Sequence, residues 1–139
     1  MASSHAEIFG LLRTEILETL VNSRSSIDDA IESFAEDEIR RHFFSVLDHM
    51  QKYIATPSPA LLQNSVSQWT AMLLGMGLSP RSVLRAIVSL GDFSVQVARQ
   101  KLEPGPATNL YIREVVRLNF NAAREVVSIF NEELMAQYA

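Results

Sequence analysis

Cysteine is absent from the 139 residues. That removes a disulfide framework, a thiolate nucleophile and thiolate metal ligands, whatever the compartment. Glycine and proline are scarce, five of each. Eight of these ten helix-breaking residues gather in three clusters, Pro57/Pro59, Gly75/Gly77/Pro80 and Pro104/Gly105/Pro106. Basic charge is not in excess: twelve Lys and Arg against sixteen Asp and Glu leave a net charge of −4. Affinity built on neutralising phosphates needs a concentrated basic surface, so nucleic acid is not an expected partner. No apolar run reaches the ~18 residues that span a bilayer, and Met-Ala-Ser-Ser-His at the start lacks the basic flank and apolar run of a secretory signal. A cytoplasmic location without membrane contact is the expectation.

What is present is apolar side chains at helical spacing. Hydrophobic residues make up 47% and charged ones 20%. That excludes disorder and is slightly richer in apolar surface than a monomer of this size requires. A single domain over residues 1–139 is expected, burying roughly two-thirds of its unfolded surface without a disulfide or metal.

The first helix is predicted from about Ser4 to Val21, with Ile8, Leu11, Leu12, Ile16, Leu17 and Leu20 on one face. The polar stretch Asn22 to Ser26 favours a turn. A short helix from Ile27 to Phe34 follows, and Ser33 with Glu36 has the spacing of a capping box that restarts the chain as a helix to Ile54. Ser58-Pro59 and Ser79-Pro80 are paired start signals, a capping hydroxyl followed by a proline where no amide hydrogen is needed. The helix begun at Pro80 contains Gly91, which marks either a break or a close backbone crossing.

After Pro106 the pattern runs from about Thr108 to Gln137, a helix of roughly 45 Å at 1.5 Å per residue. Tyr111, Val115, Leu118, Ala122 and Ile129 form one apolar stripe; Ile112, Val116, Ala123, Val127, Phe130 and Leu134 form the next. An arc this wide needs cover from two directions. A symmetric second chain is the simplest cover, with Tyr111, Val115, Leu118, Ala122 and Ile129 as the expected dimer interface. The alternatives are a central helix buried within one chain, or two helices broken near Asn119-Phe120-Asn121.

Residues with chemistry to offer are few. His42 and His49 share a helix face with Glu38 and Ser45, but no third strong ligand joins them at metal-binding spacing. No histidine follows His49, which disfavours haem, although Met72, Met76, Tyr111 or Tyr138 offer possible ligands for a haem-binding, globin-like sensor. No catalytic set is discernible, and no cofactor is expected. The segment from Thr70 to Arg85 reads alternatively as a helix-turn-helix, with Arg81, Ser82 and Arg85 at the start of a recognition helix as DNA or anion contacts.

Gly77-Leu78-Ser79-Pro80-Arg81-Ser82-Val83-Leu84-Arg85-Ala86, followed by a long helix with Val116-Arg117-Leu118-Asn119-Phe120-Asn121-Ala122-Ala123, resembles the helical N-terminal domain of RsbR-type stressosome proteins, the RsbT co-antagonists. The resemblance implies a haem-free, globin-like all-α fold, homodimerisation, and a signal-receiving role beside a kinase, phosphatase or STAS-domain partner. Family modules are normally followed by an effector domain, often a STAS domain, whereas this sequence stops at Ala139, as an excised piece or as a module acting alone. The expectation is therefore an all-α, globin-like or bundle-like domain with a long C-terminal helix, regulatory rather than enzymatic.

Overall fold

The structure, a computed structural model, describes residues 4–138, with side chains described for residues 4–132. Among the described residues there are helices and connections only: α1 (His5–Asn22), α2 (Arg24–Ile27), α3 (Asp29–Glu32), α4 (Glu36–Ala55), α5 (Pro59–Gly75), α6 (Pro80–Lys101) and α7 (Pro106–Tyr138). The chain is an all-α bundle with a long C-terminal helix.

Three helix starts follow from the same local chemistry. The hydroxyls of Ser4, Ser58 and Ser79 accept hydrogen bonds from the amides of Glu7, Leu61 and Ser82 at 3.2, 3.3 and 3.2 Å. Each such cap satisfies an amide left without an intrahelical partner and contributes about 1 kcal/mol. The turn after α5 passes through Gly77, whose φ of 97° suits a residue without a side chain. The Leu78 amide there donates to the Leu73 carbonyl at 3.2 Å and Gly77 to Leu74 at 2.9 Å, the double bond of a Schellman turn, with Leu73 and Leu78 both buried.

The region before α4 departs from expectation. The polar stretch after Asn22 holds a helical turn, α2, and Asp28 caps α3 by accepting from the Ala30 amide at 2.8 Å. The Ser33–Glu36 capping box does not form. Ser33 is helical (φ −72°, ψ −15°) and closes α3, so its hydroxyl donates back to the Ala30 carbonyl at 2.7 Å, and Ala35 precedes α4 without a side-chain cap.

α1 packs on α4 and α6, α5 on α4 and α7, and α6 on α7. One apolar cluster fills the space between them, with Phe9, Ile16, Phe43, Trp69, Ile87 and Tyr111 among its fully buried members. Arg40 clamps Glu18 with two bonds of 3.0 and 3.1 Å, and Arg13 reaches Asp48 and Gln51 at 3.2 and 3.1 Å, so ion pairs edge the α1–α4 contact.

Neither possible break occurs. α6 continues through Gly91 and α7 through Asn119-Phe120-Asn121. The two features answer each other, because the Asn119 side chain lies where a Cβ on residue 91 would stand and its amide donates to the Ile87 carbonyl at 2.7 Å. A carbonyl accepts two bonds, so the α6 ladder need not open.

The expected dimer interface is corrected here. Tyr111, Val115, Leu118 and Ala122 are at most 2% exposed and belong to the core of their own chain, while Ile129 is half-buried against it. α4, α5 and α6 all lie against α7 and cover that side. The neighbouring stripe faces outward: Val116 is 51% exposed, Phe120 62% and Val127 42%.

Substitutions of two glycines should have opposite signs. Gly91→Ala improves helix propensity yet drives a methyl into Asn119, so a loss of about 1–3 kcal/mol is expected. Gly75→Ala meets nothing within 4 Å at the exposed end of α5 and should add about 0.5 kcal/mol. Urea unfolding of the two variants, read as shifts in the midpoint at constant slope, checks both signs.

Candidate functional site

The outward stripe of α7 stands beside an exposed part of α6. Leu84 and Val88 of α6 face Phe120, Ala123 and Val127 of α7 across an open groove of about 840 Å³, rimmed by Arg124, Ser128, Asn131 and Glu132. On its other side the same Leu84 and Val88 border a second hollow with Ser26, Ile27, Arg85 and Ser89. The two α6 side chains therefore form a ridge between two depressions. Along α7, Val116, Phe120, Ala123, Val127 and Phe130 recur at alternating spacings of four and three, the seam by which one helix packs on another. The Arg124 guanidinium lies 5.9 Å over the Phe120 ring and covers part of it. Single exposed apolar residues are ordinary, but a contiguous apolar face rimmed by polar groups marks a contact surface.

Of Arg81, Ser82 and Arg85, Ser82 is buried, 5% exposed and tied to Ser79 at 3.1 Å, while Arg81 and Arg85 are at the surface, Arg85 paired with Asp28 at 3.4 Å. α6 is 22 residues long and lies against α1 and α7. Asp28 is the residue that reading by periodicity passes over, since it caps α3 and anchors Arg85 of α6 at once. The amide of Ala30, with smaller help from Ser82 and Arg85, holds its carboxyl below the usual aspartate value against the effect of burial.

The histidines are engaged elsewhere. His5 meets the edge of Tyr111 at 5.9 Å, and His42 Nδ1 donates to the Glu38 carbonyl at 2.7 Å. The Trp69 indole donates to His49 Nδ1 at 2.9 Å, which requires that nitrogen to be unprotonated. Among the described residues no three His, Cys, Asp or Glu side chains converge as a metal site, and no helix is long and apolar enough to cross a membrane. Among the described residues the buried Tyr111 hydroxyl finds no partner, and loss of solvent pushes its pKa well above the ordinary tyrosine value. No family model, no curated protein and no solved structure matches the chain.

Two outcomes follow from these placements. Asp28 has its proton affinity lowered by folding, so its contribution is present at neutral pH and disappears as the pH falls through its native titration. The gap in urea midpoint between the native chain and Asp28→Asn should therefore narrow between pH 7 and pH 3. Tyr111→Phe removes an orphaned buried hydroxyl while keeping the ring, so stability should stay level or rise by up to about 1 kcal/mol, with the mass in solution unchanged.

Proposed function

We propose that this protein is a cytoplasmic, non-enzymatic interaction module of a bacterial regulatory system, acting as a homodimer through the α6–α7 face. The observation that carries the reading is the exposed apolar set Val88, Phe120 and Val127 gathered on one groove. Ser58 and Ser79 are engaged in caps, Arg40 in an ion pair and His49 in the Trp69 bond, which supports binding over catalysis. Helix order and the Gly77–Ala86 corner support a signal-receiving role like that of the stressosome sensor domains, with a kinase, phosphatase or STAS-domain protein as the regulatory partner.

The test is the mass in solution of the native chain and of Phe120→Glu, by sedimentation equilibrium. The native chain should be a dimer and the variant a monomer. Because Phe120 is largely exposed, the variant's stability should lie within about 0.5 kcal/mol of the native monomer's. A native chain that stays monomeric at high concentration would remove the reading.

A further inference from the structure

We infer that the groove is filled by the same face of a second copy, with the two α7 helices antiparallel about a twofold axis near residues 124 and 125. This rests on the homodimer reading above and gives it a geometry.

The first argument is shape. A twofold contact uses one patch on both chains, so the patch must complement itself. Here a projecting ring, Phe120, and a hollow floored by Val88, Ala123 and Val127 share one face. Each copy supplies both the knob and the hole.

The second argument is the flank of the seam. A parallel two-stranded coil needs polar flanks on both sides of the apolar seam, each meeting the opposite flank of its partner. On α7 one flank carries Arg117 and Arg124 and is open. The other carries Asn119 and Val126 and is closed by its own chain: Asn119 is bonded to Ile87, and Val126 is fully buried. An antiparallel pair sets like flanks together, open beside open and closed beside closed, so no closed flank has to receive an open one.

The third argument is charge. Arg117 and Arg124 lie on the exposed side of α7 ahead of Glu132. Like flanks meeting at the axis bring the two Arg124 side chains together, each laid over its own Phe120 ring. Antiparallel pairing about residues 124 and 125 brings Arg117 level with the partner's Glu132 and Val127 within one residue of the partner's Ala123, large beside small. Among the described residues of one chain Arg117 is 63% exposed and paired with Glu114 at 3.4 Å, one turn away, so it is available. Complementary rim charges of this kind fix orientation and register more than they add affinity.

The absence of cysteine makes the test direct, since one introduced cysteine carries one spin label. Labels at Arg113→Cys should lie about 35 Å apart along the axis and labels at Ser128→Cys under about 20 Å, from the 1.5 Å rise per residue. R117E and E132R should each raise the dimer dissociation constant roughly ten-fold, because symmetry counts each pair twice, and the double variant should return to within about three-fold of native. A dimer whose Arg113→Cys labels are as close as those at Ser128→Cys would overturn the antiparallel pairing and leave the homodimer reading standing, as would a double variant weaker than either single one. A native chain that never dimerises removes both.

Discussion

Where α7 crosses α6, a glycine and an asparagine stand in place of two bulky side chains, and the Asn119 amide bonds to the backbone at Ile87. This contact fixes more than the distance between two helices. Successive residues on a helix are turned by about 100°, so pinning Asn119 to α6 sets which stripe of α7 looks inward. Tyr111, Val115, Leu118, Ala122 and Val126 then face the core, and Val116, Phe120 and Val127 face away. The exposed α6 ridge of Leu84 and Val88 lies one turn from Ile87 and Gly91, so the groove inherits its position from the same crossing. A larger residue at position 91 would have to move Asn119, and with it the rotation that separates core from surface.

Much of the architecture was legible because helix boundaries are local. Ser58-Pro59, Ser79-Pro80 and the Gly75-Met76-Gly77 corner carry their signals within four residues, and the structure places helix ends at all three. The turn α2 and the cap at Asp28 were not legible, since short polar residues suit a turn, a cap or a helical turn equally until tertiary partners such as Arg85 decide. The width of the apolar arc on α7 could be read from the sequence, but the stripe expected to meet a partner faces its own core. Both stripes are apolar, and hydrophobicity alone does not rank them. Spacing does not rank them either, since Tyr111, Val115, Leu118 and Ala122 recur at the same alternation of four and three as Val116, Phe120, Ala123 and Val127. Gly91 was a signal, but its meaning needed the partner residue, Asn119, 28 positions later, which no local pattern supplies.

The proposed contact is modest by design of its parts. Phe120, Val127 and Val88 are 62%, 42% and 39% exposed, so each has only part of its side chain left to bury. Full burial of such residues contributes about 1.5–3 kcal/mol apiece, and association costs at least about 4 kcal/mol in lost freedom of motion. An assembly with these terms sits near balance and responds to concentration and to small changes in fit. The core face and the groove face of α7 are carried by one continuous helix, in places on adjacent residues such as Val115 and Val116. A ligand or partner that favours one rotation of α7 over another therefore acts on both faces together. It shifts the assembly by as much as its affinities for the two rotations differ and by no more. Because adjacent residues point about 100° apart, a fraction of that rotation is enough to tilt Phe120 out of line with its hollow, whereas the core stripe, packed on several helices, resists the same turn. That opposition between a firmly held inner face and a marginal outer one is what would let a regulatory module change its contacts without unfolding.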